Sequence, residues 1–469
     1  MTSPARILGL GSSAPSLRIA GADIAASWDR SGGRSQIAAC APDEDTLTLA
    51  AAAAQSALLA AGIDVSTVDG LWWGTTRPPF AEGPSHAVLA SSLSLSDHAG
   101  GALFAGSTHA GMDALLGAAD AVSAGSARVA LVVASDALVP GLGTSFETRC
   151  GAGAVAFVLA ASGGTATIAA RVTRTHPLLD RYRGDNESAT RDLYDPRLFR
   201  EEIFLPVIGE VGTHLAALDP TAWSLPDPDG RLGAVAAKLL GASTPSSADV
   251  YGCIGDSGAA AALLGAAPAL DVAGTVAIIA FGGGRTTGIT ISAEAPVPGA
   301  ATVLATLDEG RPTTYAALLR ARAQLVASGE TIPMGVPPES ALFARGATEM
   351  LQMLGGRCAD CGTINTPPSI HPVCLSCGGS KLDAVPLARH GIVHTFVINQ
   401  TMPAPFVAPL PIAVIDLDDG ARIMLQVVGD GTGLEIGTHV DLVLRRYAHE
   451  RGVPVYGWKA RSRTTGASS

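Results

Sequence analysis

The sequence predicts an α/β body with an internal duplication, followed by a small metal-stapled subdomain and a β-barrel. Three observations carry that reading. Residues 1 to about 295 alternate apolar β-type runs with Ala-rich helical runs, the pattern of helices packed on sheets. Two buried-strand patterns, "ARVALVVASDA" and "GTVAIIAFGGG", are each followed shortly by another strand-like run, "GAVAFVLAA" and "TTGITIS", and that echo points to a duplication. Finally, "GGRCADCGTINTPPSIHPVCLSCGG" sets two Cys-x-x-Cys pairs ahead of a series of short strand patterns.

In chain order, "MTSPARILGLGSSAPS" opens directly as a strand, with no basic leader and no long apolar segment, so a cytoplasmic location is expected. "TLTLAAAAAQSALLAAGID" reads as a buried helix. Gln55 and Ser56 interrupt it, and it is too short and Ala-rich for the roughly 20 apolar residues a bilayer requires, so no membrane contact is expected. "VDGLWWGTT" reads as a strand, and the two buried-strand patterns are apolar enough to be covered on both faces. Residues 172–230 are rich in charge and hold several prolines, so they read as a surface excursion with a helix, of the kind that often covers a site.

The expected domains are a body over 1–295, a linker with helices over 296–350, a four-cysteine ribbon over 351–384, and a barrel with a basic tail over 385–469. "EAPVPGA" closes the body, and "TTYAALLRARAQLVASG" and "ESALFARGATEMLQML" read as helices. "GIVHTFVINQT", "LPIAVIDLDDGARIMLQVVG" with its Asp-Gly turn, and "THVDLVLRRY" suggest an OB-type barrel. The tail carries Arg445, Arg446, Arg451, Lys459, Arg461 and Arg463 against Glu450, read as a solvated basic stretch or as a contact for phosphates or an acidic partner.

A hydrophobic fraction of 47% with 16% charged residues describes a well-buried globular chain. The net charge of −11 argues against nucleic acid as a partner, as does the presence of only Phe396 and Phe406 for stacking in the early barrel strands. Of the seven cysteines, Cys40, Cys150 and Cys253 stand singly, unlike a secreted disulfide framework. Cys358, Cys361, Cys374 and Cys377 can place four thiolates tetrahedrally around one Zn²⁺. Four thiolates leave no open position, so the expected role is structural, with His371 a bystander.

A helix-linked four-cysteine ribbon followed by an OB-type barrel resembles the zinc-ribbon/OB-fold proteins that accompany thiolase-superfamily enzymes. "PDEDTLTLAAAAAQSALLAAGIDVSTVDGLWWGTTRPPFAEGP", "HAGMDALLGAADAVSAGSARVALVVASDA" and "AFGGGRTTGITIS" are similar to archaeal-type hydroxymethylglutaryl-CoA synthases and ketoacyl synthases III, in matching order. The resemblance implies a duplicated five-layer thiolase-like fold, a rubredoxin-like zinc ribbon, coenzyme A thioesters as ligand or substrate, and a homodimer or a hetero-oligomer with a second thiolase-like subunit.

At the positions of the family's catalytic residues the chain departs from the pattern. Thr108 stands where the family has its nucleophilic Cys, Thr76 at the base Glu, Pro226 at the His and Asp256 at the Asn. Thr108 lacks the intrinsic nucleophilicity of a thiolate, and Ser107 or Thr108 reads equally as a helix cap. Backbone N–H groups of Thr108 and of Gly282, Gly283 and Gly284 remain to hold an oxyanion, although the three glycines also suit a tight turn. Such a site fits chemistry without an acyl-enzyme, retro-aldol cleavage of a β-hydroxyacyl-CoA or an acyltransfer variant of it, with Thr108, His109, Asp256 and Tyr251 as candidate catalytic residues. Cys253 reads as a small buried residue. The alternative is a silent subunit that completes an active partner.

Overall fold

The computed structural model describes residues 4–33, 35–177, 179–191, 195–326, 341–402, 406–450 and 452–463. They form two compact units, Met1–Val326 and Ala327–Ser469.

In the first unit, nine strands among the described residues form one sheet: β1 (Arg6–Ser13), β2 (Gly70–Thr75), β3 (Gly100–Ala105), β4 (Val129–Ala137), β5 (Ala152–Ala160), β6 (Ala166–Thr175), β7 (Ala222–Ser224), β8 (Gly274–Gly282) and β9 (Arg285–Ala293). Their order is β3-β2-β4-β5-β1-β6-β9-β8-β7. The echo in the sequence is visible here. β4 lies parallel to β2 and antiparallel to β5, and β8 lies parallel to β7 and antiparallel to β9. The halves join where Arg6 and Ile7 of β1 pair with Thr167 and Ala166 of β6.

Helix α1 (Thr46–Ala61) packs on β1, β5 and β4. Asp45 starts it by accepting hydrogen bonds from Leu47 N and Thr48 N at 3.0 Å, while Thr48 Oγ1 accepts from Asp45 N at 2.9 Å. That reciprocal cap satisfies amides that otherwise have no partner. The helix lies close to β1, since a Cβ on Gly11 would stand 2.3 Å from Ala57 N. Helix α2 (Ala110–Ala124) and a short helix at Ala261–Ala266 sit in the central core. There Met112, Leu115 and Leu263 meet Val132 and Phe157 from one half-sheet and Ile278 and Ile289 from the other.

The charged excursion is not all surface. Helix α3 (Leu205–Ala216) and the turn before it bury Phe204, Ile208, Val211 and Leu215 against Trp223 and Ile279, forming a second core over β8 and β9. These residues repeat at helical spacing, so charge on the solvent side concealed an apolar stripe. Residues beyond the Pro-rich stretch also stay with the body: Val303 and Leu307 enter the central core, and Leu318 packs with Leu17, Ile24 and Ile37. The linker expected there falls in part on 327–340, outside the described residues.

In the second unit, a helix at Ala341–Gln352 leads into a three-stranded ribbon of Leu354–Cys358, Ile364–Asn365 and Leu382–Pro386. Five strands follow: His390–Asn399, Leu410–Leu417, Arg422–Gln426, His439–Glu450 and Val453–Ser462. A bridge between Val427 and Ala460 brings the two sheet edges together, which gives the OB-type barrel. Trp458 Nε1 donates to Leu351 O at 2.9 Å and ties the helix to the barrel.

Arg445, Arg446, Lys459 and Arg461 lie on the last two paired strands, and Arg445 and Lys459 are buried. Arg463 Nε donates to Asp441 Oδ1 at 2.8 Å. Arg451 and the side chain of Glu450 lie outside the described residues.

Candidate functional site

In the body, a cavity of about 890 Å³, counting the part open to solvent, is bounded by Thr108, Pro226 and Asp256. These three positions, far apart in the chain, are brought together as their alignment by motif implied. Thr76, the fourth, is not among the lining residues. Its hydroxyl donates to Asp136 Oδ1 at 2.8 Å, and Asp136, pushed up to about 6 by burial, also accepts from Ala259 N at 2.9 Å.

Thr108 neither caps α2 nor meets a base. Its hydroxyl donates to Phe281 O at 2.8 Å, while Ser107 Oγ accepts from His109 N at 3.2 Å. His109 is fully buried and not among the lining residues. Its Nε2 lies 2.9 Å from Thr287 Oγ1 and its Nδ1 3.1 Å from Asp113 Oδ2, and Asp113 also accepts from Arg285 Nη1 at 2.7 Å. This network fastens α2 to β9 through His109 Nε2 and through Arg285, while Nδ1 stands within ion-pair distance of Asp113 without a hydrogen bond. Tyr251 is not among the lining residues either, and burial, followed by the charges of Asp256 and Asp227, raises its hydroxyl pKa, so it is no base near neutrality.

Gly283 and Gly284 form the two-residue turn between β8 and β9, with φ of 57° and 73°. Positive φ at both positions suits such a hairpin and favours glycine. Gly282 meets a second constraint: a Cβ there would stand 1.9 Å from Thr108 Oγ1. Of the amides expected to hold an oxyanion, that of Gly283 already donates to Asp180 Oδ1 at 3.3 Å.

Several lining residues were not singled out from the sequence. The Arg181 guanidinium stacks 4.1 Å from the Phe146 ring centroid and forms a buried ion pair with Asp256 through Nη2, leaving Nε and Nη1 without partners. Asp256 also accepts from Gly258 N at 2.9 Å. Burial raises the carboxyl pKa of Asp180. Asp227, beside Pro226, is pushed up to about 6, chiefly by burial, although backbone N–H groups of Gly233 and Arg231 oppose the shift. Its Oδ1 has no partner. Asp227 adjoins Pro226, which the resemblance singled out; Asp180 and Arg181 lie in a charged stretch that gave no signal of folding inward.

In the second unit the sulfurs of Cys358, Cys361, Cys374 and Cys377 lie within 4.8 Å of one another. Cys358–Cys377 and Cys361–Cys374 are 3.6 and 3.5 Å apart, near the roughly 3.8 Å edge of a tetrahedron with metal–sulfur bonds of about 2.3 Å. Each pair closes through a tight turn. Gly362 N donates to Cys358 O and Gly378 N to Cys374 O, both at 2.9 Å, and both glycines have φ of 75°. Four thiols so placed can hold a metal ion, and His371 is not part of the cluster.

Comparison with known proteins agrees with this division. Residues 384–445 match the family model for the C-terminal OB-fold domain of ChsH2. A DUF35 domain-containing scaffold protein of Methanothermobacter thermautotrophicus is 31% identical over 118 residues, covering 24% of this chain and 87% of that protein. The chain belongs to the DUF35-domain family. It is also 31% identical over 154 residues to the hydroxymethylglutaryl-CoA synthase of Pyrococcus horikoshii, covering 33% of this chain and 44% of that enzyme. The chain therefore spans about half the length, or less, of the curated synthases it matches.

Solved structures show the fold of the body. MvaS in complex with 3-hydroxy-3-methylglutaryl coenzyme A aligns with TM-score 0.56 at 20% identity, over 72% of this chain and 95% of that one. The ketoacyl synthase III FabH of Pseudomonas aeruginosa aligns with TM-score 0.54 at 22% identity, over 63% and 99%. The DUF35-family chain thus joins a thiolase-like body to an OB-fold module whose cysteine cluster is consistent with a zinc ribbon.

Proposed function

We propose that the thiolase-like body binds an acyl-CoA thioester in the cavity at Thr108 and serves in making or breaking a carbon–carbon bond without forming an acyl-enzyme. The observation that carries this reading is the hydrogen bond from the Thr108 hydroxyl to Phe281 O, at a position where the family's nucleophile would stand. A hydroxyl attacks a thioester only when a base takes its proton, and here that proton is committed to a carbonyl. The relatives' names supply the ligand class, and the cavity's carboxylates can exchange protons with a substrate. The backbone N–H of Thr108, just ahead of α2, is one donor proposed for the thioester oxygen.

In the same reading Cys358, Cys361, Cys374 and Cys377 hold a structural Zn²⁺ that fixes the ribbon, and the ribbon and barrel form the module that guides coenzyme A. A second reading, a silent subunit that completes an active thiolase-like partner, draws on the Arg181–Asp256 pair at the position of the family's Asn and on the scaffold description of the archaeal relative.

Calorimetry with coenzyme A and its thioesters, together with intact-mass spectrometry after incubation, tests the first reading. Binding with no mass increase on the protein is expected. A covalent acyl adduct would refute it, and binding only in the presence of a second thiolase-like chain would favour the silent subunit. Metal analysis is expected to give one zinc per chain, lost on Cys374→Ser.

A further inference from the structure

The lining of the cavity constrains the acyl group, on the footing that the site takes an acyl-CoA. Asp180, Asp227, Asp229 and Asp256 face it alongside Arg149 and Arg181. Three of these carboxylates have partners within the protein, Asp180 accepting from Gly283 N at 3.3 Å. Asp256 is neutralised by Arg181, and Asp229 Oδ1 accepts from Arg231 N and Leu232 N at 2.9 and 2.8 Å, at the start of the helix Leu232–Leu240. Two groups are not satisfied. Arg181, its side chain only 10% exposed, keeps Nε and Nη1 without acceptors, and Asp227 keeps Oδ1 without a donor. A buried polar group left in this state costs about 1–3 kcal/mol, which is recovered when a ligand or water meets it.

Phe199, Leu232 and Phe281 supply apolar walls between the polar groups. The complement of this lining is a mostly apolar ligand with one group that both accepts and donates. A hydroxyl does both. A carboxylate only accepts, and it would add a negative charge to a lining that already has more carboxylates than guanidiniums. We propose that the acyl group taken by this cavity is neutral and hydroxylated, with its hydroxyl oxygen toward Arg181 and its hydroxyl proton given to Asp227. This separates the chain from a site built for a dicarboxylic acyl group.

Calorimetric titration of the full chain at pH 7 with coenzyme A, butyryl-CoA, 3-hydroxybutyryl-CoA and 3-hydroxy-3-methylglutaryl-CoA tests it. A hydrogen bond to an ionised carboxylate corresponds to about 10-fold or more in affinity. The hydroxybutyryl thioester is therefore expected to bind about 10-fold or more tightly than the butyryl one, and the methylglutaryl thioester no more tightly than free coenzyme A. In Asp227→Asn a side-chain NH2 takes the place of the free acceptor. The hydroxyl preference should then fall below about 3-fold. The series on the unmodified chain stands alone if that variant does not fold. Tightest binding of the methylglutaryl thioester, or coenzyme A binding with no preference for the hydroxyl, would overturn the inference and leave the acyl-CoA reading standing. Absence of binding by every probe, coenzyme A included, would overturn both.

Discussion

Replacing Arg181 by methionine removes one partner of a buried ion pair whose side chains are 10% and 6% exposed, so solvent screens little of the loss. Asp256 would keep only the Gly258 N–H at 2.9 Å, and the Phe146 ring would lose the cation above it. Breaking such a pair from one side costs about 3–5 kcal/mol, because the remaining charge is left buried without its counter-ion. At about 2 cal/mol/K of unfolding entropy per residue, a loss of about 4 kcal/mol lowers the melting temperature of a unit spanning Met1–Val326 by about 6 °C. Removing both charges should cost much less, since Asp256→Asn in the Arg181→Met background leaves no orphaned carboxylate. The assay is a double-mutant cycle in urea, followed by tryptophan fluorescence, with Trp73 and Trp223 buried in the body. A single variant within about 1 kcal/mol of the parent, or a double variant no more stable than Arg181→Met, would refute the view that this pair anchors the site.

Gly282→Ala should destabilise the body by about 2–4 kcal/mol, through a φ of 149° and a Cβ that displaces Thr108 from Phe281 O, as read by thermal melting. Thr108→Cys should give a thiol that iodoacetamide alkylates no faster than free cysteine at pH 7, because Asp180 stands near and Pro226 supplies no imidazole; an accelerated rate would show an activating base. The preference for a hydroxylated thioester should hold above pH 7 and fade as pH drops through about 6, where Asp227 takes up a proton. Asp229 and Asp256 help to raise that value, and the measurement is the ratio of the two affinities from pH 5 to 8.

What was legible in the sequence was the part encoded by local periodicity and by motif. The apolar runs of β4 and β8 with their antiparallel followers, the two Cys-x-x-Cys pairs and the Asp-Gly turn of the barrel each state their own geometry. The convergence of Thr108, Pro226 and Asp256 was legible only through resemblance, since no local rule joins residues so far apart in the chain. Asp180, Arg181 and Asp227 escaped because a charged, proline-containing stretch reads as solvent-facing until a partner for its charge is known. Arg181 is buried only because Asp256 and Phe146 receive it, and both lie elsewhere in the sequence. His109 misled in the opposite sense. Beside a helix start it resembles a catalyst, yet it is fully buried, bonded to Thr287 through Nε2, and does not line the cavity.

The departures at the site are physically coupled. A thiolate at position 108 would be opposed by carboxylates at 180 and 256, and an imidazole at 226 would pair with those carboxylates as readily as with a nucleophile. With Thr108 and Pro226 in place, neither conflict arises. The carboxylate at 256 then needs a counter-charge, which Arg181 provides, and that arginine keeps two N–H groups that the protein does not satisfy. On the proposed reading the cavity is more than an acyl-transfer site with parts missing. It is a differently charged one, whose unmet donors and acceptor call for ligand oxygen and a ligand hydroxyl where a thiolate mechanism would need a base.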